Sequence, residues 1–156
     1  MKKKNLTTKE TFDLAVQNQQ KNNLQVAENL YKETLKTNPN HVDAHNNLGI
    51  VYKELGELQK AVDCYEKVIQ IQPEDAYAHY NLGLVFKELG ELQKAVDCYE
   101  KAIQINPNYA DAYNNYGAVL KELGEYQKAI NSCQKAIQIQ PHLESAHINL
   151  GLAFRE

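Results

Sequence analysis

His79-Tyr80-Asn81-Leu82-Gly83-Leu84-Val85-Phe86, then Ala95-Val96-Asp97-Cys98-Tyr99 and a closing Pro107, repeat a pattern found 34 residues upstream. There it reads His45-Asn46-Asn47-Leu48-Gly49-Ile50-Val51-Tyr52, Ala61-Val62-Asp63-Cys64-Tyr65 and Pro73. A third copy, Tyr113-Asn114-Asn115-Tyr116-Gly117 with Ala129 and Pro141, keeps the same interval, and Pro39 extends the lattice backward. A fixed period of this length signals stacked supersecondary units. With proline at repeat position 32, the units are 8–41, 42–75, 76–109 and 110–143. A basic extension, 1–7, precedes them, and 144–156 supplies the first helix of an incomplete fifth unit.

Each unit reads as two helices. Between Asp43 and Leu55, apolar residues at 44, 48, 51, 52 and 55 follow the three-or-four spacing of an amphipathic helix. Gly56, and Gly90 and Gly124 at the same repeat position, stand where a left-handed residue closes a helix. A second helix from Leu58 to Ile71 is predicted to bury Leu58, Ala61, Val62, Tyr65, Val68 and Ile69 before Pro73 sets up the next turn. Gly49, Gly83, Gly117 and Gly151 fall inside the first helices, where glycine costs about 1 kcal/mol relative to alanine. Close approach of the paired helix, through its small Ala61, Ala95 and Ala129, is the expected compensation. The first unit replaces the packing glycine with Ala15 and the turn glycine with Asn22, a residue that tolerates the left-handed region.

The spacing and signature residues resemble the tetratricopeptide repeat family, over residues 8–156, with His or Tyr where that family often has tryptophan. The resemblance implies an all-α, right-handed superhelical α-solenoid of helix-turn-helix units, whose first helices line a concave groove that binds proteins.

Composition adds boundaries. With 43% hydrophobic and 24% charged residues the chain reads as an ordinary folded domain, expected to be cytoplasmic. No stretch reads as a membrane segment. Met1-Lys2-Lys3-Lys4 runs into Asn5-Leu6-Thr7-Thr8 with no apolar core for a signal peptide, and Thr7 with Glu10 forms a capping box. The odd cysteines, Cys64, Cys98 and Cys133, are expected to be packing residues. Equivalent positions on helices about 8–10 Å apart lie beyond disulfide reach, which fits a reducing compartment.

Catalytic and metal motifs are missing. His41 and His45 are four apart, but His45 recurs as His79 and His147 in one packing slot, whereas Asp75, Tyr109 and Leu143 replace His41. No Cys-x-x-Cys, His-Glu-x-x-His, phosphate loop or Gly-x-Ser-x-Gly occurs. The expectation is a noncatalytic chain with no cofactor. Nucleic acid is not expected as a partner, because the net charge is −3 and Lys53, Lys87, Lys121 and Arg155 are each followed by a glutamate.

What recurs without a packing reason is Asn47, Asn81, Asn115 and Asn149 at repeat position 6, which a helical wheel turns away from the apolar face. An asparagine offers both a donor and an acceptor, so a line of them could hold an extended peptide backbone in paired hydrogen bonds. Only Asp13, in the first unit, breaks the line. This stripe resembles the asparagine ladder of superhelical arrays of the protein O-linked N-acetylglucosamine transferase type, which recruit protein substrates. Tyr77, Tyr80 and Leu84 are the expected side-chain anchors, with Asn46 and Asn114 beside them. Glu54, Glu88 and Glu122 would favour basic or neutral segments. The lysines and arginines with which family members clamp acidic chaperone tails are replaced here by Asp43, Asn46, Tyr77, Asn81, Asp111 and Asn115.

His147, Leu150, Gly151 and Phe154 face a second helix that the 156 residues do not include, so the sequence reads first as cut from a longer array, with end-to-end self-association through Leu150 and Phe154 as the alternative. The sequence thus points to a noncatalytic protein–protein interaction scaffold that grips an extended peptide through its asparagines. A substrate-recruiting segment of a larger enzyme, such as a glycosyltransferase, is the alternative, and a self-assembly module a weaker one.

Overall fold

A computed structural model describes residues 6–155, so the basic head Met1-Lys2-Lys3-Lys4, and Glu156, lie outside the described residues. The chain forms an all-α helical repeat in two compact units, residues 1–73 and 74–156. Unit 1 carries α1 (Thr8–Gln20), α2 (Leu24–Thr37), α3 (Val42–Glu54) and α4 (Leu58–Ile71). Unit 2 carries α5 (Ala76–Glu88), α6 (Leu92–Ile105), α7 (Ala110–Glu122), α8 (Tyr126–Ile139) and α9 (Glu144–Ala153).

Local chemistry sets the helix ends. Thr7 accepts from the Glu10 N–H at 3.2 Å, while the Glu10 carboxylate accepts from the Thr7 N–H at 2.8 Å, completing the anticipated capping box. Gly56, Gly90 and Gly124 take φ of 75°, 77° and 79°. Asn22 takes φ of 60° in the matching turn, so the degenerate first repeat closes as the others do.

Within unit 1, α1 pairs with α2, α3 pairs with α4, and α2 packs on α3. Within unit 2, α5–α6 and α7–α8 are pairs, α6 packs on α7, and α8 on α9. The first helices also touch one another there, α5 against α7 and α7 against α9. The core is the strip of Ala61, Val62, Tyr65 and Val68 on α4, facing Ala44, Leu48 and Val51 on α3, and its equivalents. Leu55, expected inside, sits at the α3 C-cap and is 36% exposed.

The helix-interior glycines do mark close approach, but the nearest atoms are different from those expected. A Cβ at Gly49 would meet the Tyr65 ring at 2.7 Å, and one at Gly83 the Tyr99 ring at 2.7 Å. Large aromatic rings, rather than Ala61 and Ala95, lie across the helix there. At Gly117 the neighbours are Cys133 Sγ at 2.8 Å and the Ala129 carbonyl oxygen at 3.1 Å. In that repeat Cys133 stands where Tyr65 and Tyr99 stand in the others, and Tyr116, in place of leucine on the first helix, donates its hydroxyl to Glu100 on α6 at 2.5 Å. Cys64, Cys98 and Cys133 are all buried, and burial pushes the Cys64 thiol up to about 12.

Candidate functional site

The expected site residues fall on α3 in unit 1 and on α5, α7 and α9 in unit 2. Asn46, Asn47 and Glu54 belong to α3. Tyr77, Tyr80, Asn81, Leu84 and Glu88 belong to α5, Asn114, Asn115 and Glu122 to α7, and Asn149 to α9. The glutamates are exposed, and Glu122 pairs with Lys87 at 3.6 Å.

The asparagines are less open than a helical wheel implies. Asn81 is 8% exposed, and its amide donates back to the Tyr77 carbonyl at 3.0 Å. Asn115 spends its amide hydrogens on the Tyr80 hydroxyl oxygen at 3.0 Å and the Asp111 carbonyl at 3.1 Å. Asn149 donates to Asn114 Oδ1 at 2.8 Å, and Asn114, itself buried, donates to Ser145 Oγ at 3.0 Å. Asn47 lies beside the Tyr31 hydroxyl, which burial pushes up to about 12 while the Asn47 amide pulls the other way. A wheel drawn on one helix places position 6 away from its own partner helix. For Asn115 and Asn149, however, that direction points at the first helix of the preceding repeat. Asn115 therefore presents mainly its carbonyl, an acceptor for a peptide N–H, rather than a donor–acceptor pair.

The aromatic residues form the open part of the site. Tyr77 is 45% exposed, and Tyr80 and Leu84 are half-buried. Tyr80 lies 4.8 Å from Tyr109, centroid to centroid, with the rings tilted by 39°, and 6.0 Å from Tyr99 beneath it. Tyr109 is the N-cap residue of α7, and Asp75 is that of α5, where Oδ1 accepts from the Tyr77 and Ala78 N–H groups at 2.9 and 3.0 Å. Burial raises the Tyr109 hydroxyl above its ordinary range, and Tyr80, Tyr77, Asp111 and Asp75 add to the rise. Tyr80 is raised in the same way, by burial and then Asp111. Tyr109 was missing from the expected anchors. Its signal was present: position 5 is aromatic at Phe12 and Tyr80, and position 34 is aromatic at His41 and Tyr109.

Unit 1 repeats the ring pairing with other residues. Phe12 stacks on His41 at 4.6 Å and 26°, and His41 Nδ1 caps α3 by accepting from the Ala44 N–H at 3.3 Å. Asn46 is buried in the same unit, with its Oδ1 unpaired. An open groove of about 510 Å³ lies elsewhere on unit 1, lined by Leu35, Pro39, His45, Leu48, Tyr52 and Cys64 among others. Among the described residues no three His, Cys, Asp or Glu side chains converge as a metal site, and no helix is long and apolar enough to cross a membrane.

Models of the tetratricopeptide repeat match residues 76–109 and, with a second model, residues 30–63 and 98–131. A third, described as a TPR repeat, matches residues 51–90 and 117–156. No curated protein matches the sequence. Among solved structures, MamA protein superposes with a TM-score of 0.88 at 33% identity, covering 95% of this chain and 81% of its own. A second MamA structure gives 0.85 at 33% identity, with 90% and 82% covered. YrrB, described as a TPR protein with an unusual peptide-binding site, gives 0.81 at 22% identity, with 96% and 77% covered.

Proposed function

Because the chain belongs to the tetratricopeptide repeat family, we propose that it is a noncatalytic protein-interaction scaffold whose first-helix face holds an extended peptide. The observation that carries this reading is the surface on unit 2 where the exposed Tyr77 adjoins half-buried Tyr80 and Leu84, with Asn115 fixed against Tyr80 and Asn149 fixed against Asn114 one repeat further on. Tyrosines and a leucine give apolar contact at low conformational cost. Asparagines already held by intrachain hydrogen bonds keep their carbonyls oriented, so a peptide N–H meets a preorganised acceptor. On α3 of unit 1, Asn47 is a separate candidate acceptor, set beside the Tyr31 hydroxyl. The peptide-binding site described for YrrB supports only that this fold can carry one. The finer likeness to the O-linked N-acetylglucosamine transferase ladder rests on the recurring asparagines alone, and no comparison supports it.

A peptide array probed with the wild-type chain and with a variant carrying alanine at 47, 81, 115 and 149 tests the ladder. Weaker capture is expected. Undiminished binding by a folded variant would remove the asparagines from the site.

Self-association is a second reading, favoured by α9. Phe154 is 63% and Ile148 62% exposed, and a Cβ at Gly151 would meet nothing within 4 Å, unlike those at Gly49, Gly83 and Gly117. Light scattering that finds only monomer at high concentration sinks it, and Leu150→Asp with Phe154→Asp should abolish any assembly seen.

A further inference from the structure

The aromatic residues of the molecule are treated in two ways. Tyr52 has Lys32 and Lys60 ammonium groups at 5.7 and 5.3 Å from its centroid, and Phe86 has Lys94 at 5.1 Å. Those rings are supplied with cations by their own chain, and Glu57 and Glu91 hold Lys60 and Lys94 in place. Tyr77, Tyr80 and Tyr109 differ. Among the described residues no lysine or arginine stands over any of the three, and the charged groups acting on Tyr109 are Asp111 and Asp75. The nearby Lys101 is drawn to Glu74 at 3.4 Å.

We propose that Tyr77, Tyr80 and Tyr109, with the carboxylates of Asp75 and Asp111, form a receptor for one arginine side chain of the bound peptide. This rests on the peptide-binding reading above and names the residue the site selects. A cation over a tyrosine face is attracted by the ring quadrupole, and a planar guanidinium can stack on a ring while forking to a carboxylate. Asp111 lies exposed in the first turn of α7, and Asp75 keeps Oδ2 available while Oδ1 caps α5. A paired ring surface with carboxylates close by suits a guanidinium better than a lysine ammonium, which is compact and strongly hydrated. An acidic peptide would meet like charge.

The test uses the full chain, isotopically labelled for NMR, and capped nonapeptides of Gly, Ser and Ala with one central residue: Arg, Lys, citrulline or Ala. The Arg peptide should shift resonances of Tyr77, Tyr80, Tyr109 and Asp111, and bind about tenfold more tightly than the citrulline peptide. Lys should fall between them. Tyr77→Ala and Asp111→Asn, both at exposed positions, should each bring Arg binding toward the citrulline level, whereas Tyr126→Ala on α8 should leave it unchanged. Equal binding of the Arg and citrulline peptides at these residues would overturn the arginine receptor and leave the peptide surface standing. Shifts from no peptide at all would overturn both.

Discussion

Phe12 on His41 in unit 1 and Tyr80 on Tyr109 in unit 2 occupy the same two repeat positions and pack at 4.6 and 4.8 Å, yet they offer different chemistry. In unit 2 the pair carries hydroxyls, one of them receiving the Asn115 amide, and is flanked by Tyr77, Asp75 and Asp111. In unit 1 the corresponding neighbours are Lys9, Thr7 and Asp43, and the second ring is a histidine. The repeat therefore dictates where rings meet, and the identities at a few positions decide what the meeting place attracts. An arginine suited to unit 2 would find Lys9 on the unit 1 face.

The harshest way to break the comparison is to break the helix pairs beneath it. Gly83→Leu and Gly49→Leu should each cost about 1–3 kcal/mol or more, since Tyr99 and Tyr65 fill the space from across the helix pair. Gly151→Ala meets nothing and should instead gain up to about 1 kcal/mol from helix propensity. Urea unfolding of the three variants measures both signs. Equal losses at 151 and 83 would refute the packing account.

Next come the two buried asparagines at position 5. Asn114→Ala in unit 2 should cost about 1–3 kcal/mol, because Ser145 and Asn149 lose their partner. Asn46→Ala in unit 1 should cost clearly less, because its Oδ1 is already buried without a hydrogen bond. A reversed order in thermal unfolding would contradict the hydrogen-bond assignment.

Smaller still is the conversion of one ring pair toward the other. Tyr80→Phe removes the acceptor of Asn115 and should cost about 0.5–1.5 kcal/mol. Phe12→Tyr should change stability less, because Asn47, the equivalent of Asn115, already turns its amide to the Tyr31 hydroxyl.

The mildest effect is one of pH. Burial lowers His45 below its ordinary 6.5, partly opposed by its hydrogen bond to the Pro39 carbonyl at 2.8 Å. The folded protein thus binds this proton less readily than the unfolded chain. The associated stability is complete above about pH 6.5 and declines as the pH falls through that value toward the lower folded one. Unfolding midpoints from pH 8 to 5 should show the decline in wild type and a weaker one in His45→Gln, flanking the ordinary value of about 6.5.

Much of the fold was legible because its determinants are local. The Thr7–Glu10 box, the left-handed turns at Asn22 and Gly56, and the amphipathic stripe of α4 each depend on residues within one helix or turn. The site was less legible because it depends on contacts between repeats. Position 6 looks solvent-facing on an isolated helix, but α7 and α9 lie against the preceding first helix, which turns Asn115 and Asn149 toward Tyr80 and Asn114. Tyr109 was passed over because it sits before its helix begins, where an apolar-stripe reading does not look. The glycine partners were misjudged for a related reason: the alanines are small, but the tyrosine ring reaches farther.

The buried cysteines have a practical consequence. Three successive repeats each carry one thiol, but Cys64 on α4 lines the open groove of unit 1 and Cys98 on α6 keeps slight exposure, whereas Cys133 on α8 is fully shielded. A thiol shielded as Cys133 is reacts with an alkylating reagent when local opening of its helix pair exposes it. Cys133 thus serves as an internal clock for its repeat, and its alkylation rate in native buffer, set against that of Cys64 at the groove, would report how often the α7–α8 pair opens.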